Sequence, residues 1–200
     1  MGMFDEQTLG TPPISFKRAR KGTEFSGVIL PIRQKNRRTG VWDLVAYRED
    51  QDKDRTTGEP KVYPSGDPVL VGQFHLQTEL KNWDLTSAEF EERTAEFPDE
   101  TDTGLRRLFI GSKYLNQAVR ATFKRLRKAP EVGGHLTVRV LGIKSDIAKN
   151  GEKYTYPDVA VEWTPADAEG RKVAEAYAAT LPEPEDAPSR MTGDEPEPEV

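Results

Sequence analysis

Apolar and polar residues alternate in short runs along most of this chain, and each run is bounded by glycine, proline or clustered charge. The first run, FSGVILPIRQ, predicts a strand from Thr23 to Gln34, with Gly27 admitting the bulge or coil of a tightly bent strand. A basic turn, Arg37-Arg38-Thr39-Gly40, leads to a short β-prone run from Val41 to Tyr47. From Arg48 to Lys61 the chain is charged, with too little apolar surface to order itself. The clearest strand is Val69 to Leu80, where Leu70, Phe74, Leu76 and Leu80 share one face and Gln73, His75, Gln77 and Glu79 the other. Arg106 to Gly111 reads as a further strand that buries Leu108 and Ile110 and turns Arg107 and Phe109 outward.

The period then lengthens from two to about 3.6. Ser112 is placed to cap a helix from Lys113 to Lys128 whose stripe is Leu115, Ala118, Val119, Thr122 and Leu126, ended by Pro130, Gly133 and Gly134. Two more strands, 135–143 and 154–163, flank an Asn150-Gly151 turn and predict a hairpin. The order strand, strand, strand, helix, strand, strand predicts a mainly β, five-stranded Greek-key OB barrel over residues 14–164, with the helix between strands 3 and 4. Residues 1–13 read as a flexible arm and 82–102 as an acidic insert. A C-terminal helix is expected over 165–181, with Thr164 and Pro165 as its cap and first position and Val173, Ala174, Tyr177, Ala178 and Leu181 on one face, weakened by Gly170. Residues 182–200 are rich in proline and acid and read as a disordered tail.

Charge sharpens this division. The formal net charge is −5, yet residues 165–200 and 82–102 each contribute −7, which leaves +9 on the remainder. From Leu105 to Pro130 there are eight bases and no acid. The absence of cysteine and the presence of only two histidines leave no zinc site, and no cofactor is expected. No apolar run approaches the length of a membrane span and the N-terminus lacks signal-peptide order, so a soluble, cytoplasmic protein is expected.

Binding an unpaired nucleic-acid strand requires cations that follow the phosphates and flat side chains that stack on bases. The residues that combine the two are Arg37, Arg38 and Trp42 in the first hairpin, Tyr63 beyond it, and His75, Arg107, Phe109 and Arg139 on the strands. Arg120, Lys124 and Arg127 on the helix form a secondary electrostatic rim. A phosphate-binding loop and a nucleophile elbow are both absent from the sequence, so an enzyme is not expected. Glu96, Asp99, Glu100 and Asp102 are the residues that a metal-dependent nuclease would use.

Three runs carry a resemblance: TGEPKVYPSGDPVLVGQFHLQTEL (57–80), DTGLRRLFIGSKYLNQAVRATFKRL (102–126) and EVGGHLTVRVLG (131–142), with the opening ISFKRARKGTEFSGVIL. Together they resemble the single-stranded-DNA-binding proteins encoded by tailed phages of actinobacteria, over about residues 14–164. The resemblance implies an OB fold, single-stranded DNA as ligand, and a role in phage DNA replication, recombination or repair in the host cytoplasm. The stretch Gln34–Arg55 and the insert 82–102 are longer than that pattern, and the chain ends in Val200 rather than an aromatic tip. The acidic tail is then a candidate contact for replication or recombination proteins, or an anion that competes with DNA for the basic groove. A homo-oligomer is compatible with the sequence. The rival reading is an OB-type interaction module that recruits such factors with an incidental basic face.

Overall fold

The structure is a computed structural model that describes residues 11–16, 19–36, 38–54, 56–80, 102–147 and 150–183. Among these residues lie eight strands and two helices: β1 (Glu24–Leu30), β2 (Ile32–Lys35), β3 (Trp42–Val45), β4 (Arg48–Gln51), β5 (Leu70–Thr78), β6 (Leu105–Ile110), α1 (Lys113–Leu126), β7 (His135–Ile147), β8 (Lys153–Thr164) and α2 (Ala168–Ala178). All strand pairs are antiparallel. The main sheet runs β4-β5-β1-β7-β8 with β6 on the other edge of β5, and β2-β3 forms a separate ribbon.

The architecture is thus mainly β, as the alternation predicted, but the sheet does not close into a five-stranded barrel. Pro31 supplies no N–H and divides the first strand into β1 and β2. Its hairpin partner divides at Ala46 and Tyr47, so β5 pairs with β4 along its first half and directly with β1 along its second. Among the described residues β6 and β8 do not pair. Helix α1 leaves β6 and packs on β8 instead, where the Thr122 hydroxyl donates to the Val161 carbonyl.

One apolar cluster covers one side of the sheet. It unites Phe25 and Ile29 of β1, Phe74 and Leu76 of β5, Leu108 and Ile110 of β6, Leu136, Val138 and Val140 of β7, Val159, Val161 and Trp163 of β8, and Leu115 of α1. The stripe expected on α1 is the face it buries, since Leu115 and Thr122 are buried and Ala118, Val119 and Leu126 pack against the cluster. Ser112 is the N-cap residue but makes no side-chain capping bond. The hairpin is longer than its apolar alternation suggested, reaching Ile147 and Lys153.

Several expectations are corrected. Arg48–Lys61 is ordered by its neighbours rather than by apolar burial: β4 pairs with β5, and Asp54 accepts from the N–H groups of Thr56 and Thr57 in a turn. Gly27 lies in continuous register with Thr78 and Leu136, with no bulge. A Cβ there would lie 2.7 Å from the Thr78 methyl, so glycine allows β1 and β5 to approach. Leu70 is 42% exposed, outside the core, because β5 runs past the cluster at its start. Helix α2 begins at Ala168 with Asp167, not Thr164, as its cap; the Asp167 carboxylate accepts from the Gly170 N–H at 2.7 Å.

Gly170 does more than lower helix propensity. A Cβ there would lie 2.1 Å from the Gly133 carbonyl oxygen, so α2 docks backbone to backbone on the turn that precedes β7. This docking lays α2 across β1, where Leu30, Ile32 and Ala174 are buried outside the main cluster. The helix is therefore part of the domain. No helix among the described residues is long and apolar enough to cross a membrane. The insert lies outside the described residues except for Asp102, as do residues 1–10 of the arm and residues 184–200 of the tail.

Candidate nucleic-acid interface

Strand alternation decides which side chains share the face turned away from the core. In the β5-β6 register His75 is opposite Arg107 and Gln73 opposite Phe109, while β4 places Arg48 opposite Gln73. Phe74, Leu76, Leu108 and Ile110 point the other way, into the core. Arg107, Phe109 and His75, singled out in the sequence, are thus brought together on one surface. The Arg107 guanidinium lies over the Phe109 ring, 5.4 Å from its centroid, and Phe109 is 40% exposed.

This surface is walled by two segments that the sequence reading treated as appendages. Residues Pro12 to Ile14 pair with the free edge of β6: the Arg107 N–H donates to the Pro12 carbonyl and the Ile14 N–H to the Arg107 carbonyl, both at 2.8 Å. The Arg107 side chain is steadied in turn by donating Nε–H to the Thr11 carbonyl at 2.6 Å. From the other side α2 brings the Tyr177 hydroxyl to 3.4 Å from His75 Nδ1. Burial, with the Arg107 and Arg48 charges adding to it, pushes His75 down to about 4, so its ring is neutral at physiological pH. Burial likewise lowers Arg107 and raises Tyr177 from their ordinary values.

Arg48 joins the same face although no sequence pattern marks it. It donates to Asp50 through Nε at 3.0 Å and Nη2 at 2.8 Å, and through Nη1 to the Arg33 carbonyl at 2.9 Å. Its charge is therefore largely met by Asp50, whereas Arg107 forms no ion pair among the described residues. Beside Phe109 an open cleft of about 550 Å³ continues along Asp50 to Lys53, with Lys61, Val71 and Gly111 completing its lining. Its walls mix Lys53 and Lys61 with acids, and Lys61 is paired with Asp52 at 2.9 Å.

The other predicted residues are dispersed. Arg37 lies outside the described residues, and Arg38 is exposed in the β2-β3 turn. Trp42 is half-buried on β3 with the Lys35 ammonium 5.7 Å from its ring centroid, and Tyr63 is 54% exposed in the β4-β5 connection. Arg139 lies on the outer face of β7 in an ion pair with Glu24, which raises it from its ordinary value. Arg120, Lys124 and Arg127 are exposed on α1, on the core side of the β5-β6 layer, away from Arg107. Arg120 lines a separate cleft of about 650 Å³ with Tyr47, Glu49, Phe123 and Trp163.

A second aromatic group escaped the sequence reading. Tyr114 of α1 stacks on Tyr156 with centroids 5.4 Å apart and planes 16° apart, and Tyr154 follows at 5.9 Å. The period-two spacing of the two tyrosines in Tyr154-Thr155-Tyr156 was the available signal, since it puts both rings on one face of β8. Lys144, opposite Tyr156 on β7, is paired with Asp158 at 2.8 Å.

Of the acids considered for a metal, Glu96, Asp99 and Glu100 lie outside the described residues. Asp102 is engaged otherwise. It holds the Arg106 guanidinium from both oxygens, with Arg106 completely buried and donating also to the carbonyls of Leu80 at 2.6 Å and Leu105 at 2.8 Å. Compared with protein-family models, with curated proteins and with solved structures, the chain gives no match.

Proposed function

We propose that this chain is a non-catalytic single-stranded-DNA-binding protein, of the kind that tailed phages of actinobacteria encode, built on an opened OB-type barrel. The observation that carries the reading is the Arg107-Phe109 pair: a half-buried cation and an exposed ring held together on one face of β6, beside His75 and the buried Gln73. Such a pair offers one group to a phosphate and one to a base. The OB reading takes β1-β2 as the first strand, β3-β4 as the second, β5 as the third, α1 as the intervening helix, and β7 and β8 as the fourth and fifth, with β6 added beside β5. It is supported by β7 lying between β1 and β8. The direct β1-β5 pairing departs from a regular barrel.

In this mechanism bases stack on Phe109 while Arg107 holds the backbone, and the neutral His75 contributes a ring without a charge. The function is coverage and protection of strands during replication, recombination or repair. A salt titration of oligo(dT) binding tests it. Several phosphate contacts make log affinity fall with log salt by about 0.7 per contact on single strands. A salt-independent affinity, or none at low salt, would favour the recruitment-module reading instead.

A further inference from the structure

The distal part of the β7-β8 hairpin projects beyond the sheet, and its geometry points to an interface. Pairing of β7 with β1 ends at Arg139 opposite Glu24, extended only by the reciprocal bonds of Val140 with Gly22 and Thr23. From Leu141 to Ile147 the other edge of β7 has no strand partner among the described residues, while its inner edge stays paired with β8. An edge of this length exposes a row of backbone donors and acceptors. It also exposes apolar side chains, with Ile143 54% and Ile147 69% accessible.

We propose that this edge pairs with the same edge of a second copy of the chain, antiparallel about a twofold axis at Ser145. The sequence IKSDI is self-complementary in that register. Ile143 falls opposite the second copy's Ile147 and Lys144 opposite its Asp146, each twice, while Ser145 meets itself. The alternation that the β7-β8 register fixes keeps these on separate faces: Ile143, Ser145 and Ile147 lie with Pro157, Thr155 and Lys153, and Lys144 and Asp146 with Tyr156 and Tyr154. One face of the joined four-stranded ribbon thereby gathers four isoleucines, and on the other each Lys144, paired within its own chain with Asp158, comes opposite the second copy's Asp146 and can share its charge between the two carboxylates. Shifting the axis by one residue to Lys144 would set two ammonium groups opposite each other, which selects the register. The inference is independent of any DNA ligand.

The register makes a sharp test possible because the chain has no cysteine. In full-length protein, Ser145→Cys would place two thiols on directly opposed residues, about 4.5–5.5 Å apart between Cα atoms, within disulfide reach. Ile147→Cys would leave its thiols roughly 13 Å apart. The expected result is a dimer by light scattering, rapid oxidative cross-linking of Ser145→Cys, and little of Ile147→Cys. Asp146→Lys is expected to weaken the dimer by roughly tenfold or more, and Lys144→Asp combined with Asp146→Lys to restore it. A chain monomeric throughout the micromolar range would overturn the proposal, as it would if the edge served a different protein. A dimer whose Ser145→Cys form cross-links no faster than Ile147→Cys would overturn it too.

Discussion

Replacing Asp102 with asparagine removes the carboxylate that, among the described residues, pairs with a guanidinium of no solvent exposure. The Asp102 side chain is itself only 4% exposed, so water cannot take over its role. Breaking a buried ion pair from one side costs about 3–5 kcal/mol, and the retained amide oxygen and the Leu80 and Leu105 carbonyls put this case near 3 kcal/mol. That is a large share of the roughly 5–15 kcal/mol that holds a domain folded. In a chain of this size it corresponds to a drop in Tm of about 6–12 °C. Urea unfolding followed by circular dichroism, with Asp102→Asn, Arg106→Leu and the double variant, is the assay. The double variant is expected to lose clearly less than the sum of the singles, because neither charge is then stranded. An Asp102→Asn loss under about 1 kcal/mol, or strict additivity, would refute the argument. The consequence reaches the candidate interface, since Arg106 binds both Leu80 and Asp102 and so clamps the start of β6, one residue before Arg107.

Gly170→Ala should force α2 off the Gly133 carbonyl and cost about 1–3 kcal/mol, with proteolysis at α2 as the readout; unchanged protection would count against the docking described. His75 is neutral when folded, at about 4 against an ordinary 6.5, so the unfolded chain binds the extra proton between these values. Stability is therefore complete above pH 6.5 and falls as pH drops toward 4, by roughly 3 kcal/mol from this group. His75→Gln should remove that part of the slope in paired urea titrations, and identical slopes would show that the ring is solvated.

Period-two alternation made the strands legible because one side of each is core: Phe74 and Leu76, or Leu108 and Ile110, announce their burial by spacing alone. The same alternation put Arg107, Phe109 and His75 on a common face before any pairing was known. It failed where tertiary partners decide. Arg106 shares the parity of Leu108 and is buried as a charge, which the Asp102 carboxylate and the Leu80 and Leu105 carbonyls make tolerable. β4 has the composition of a loop and is a strand because β5 offers it an edge. Closure of a sheet depends on curvature and on where α1 settles, and neither is written in a hydrophobic pattern. Trp42, Tyr63 and Arg139 had the chemistry of ligand contacts but no local signal of position, and the fold disperses them. The covering of His75 by Tyr177 arises from a glycine-to-glycine contact between distant segments, invisible to any local window.

In the proposed function the outer face of β5 and β6 holds single-stranded DNA through Arg107 and Phe109. Anisotropy of labelled oligo(dT), titrated across a salt series with wild type, Arg107→Ala and Phe109→Ala, tests it most directly. The account predicts salt-sensitive binding by the wild type. Arg107→Ala should make the salt slope shallower by about 0.7, and Phe109→Ala should weaken binding by about 1–3 kcal/mol with its slope unchanged. Absence of binding at low salt, or equal affinity and slope for all three proteins, would contradict it.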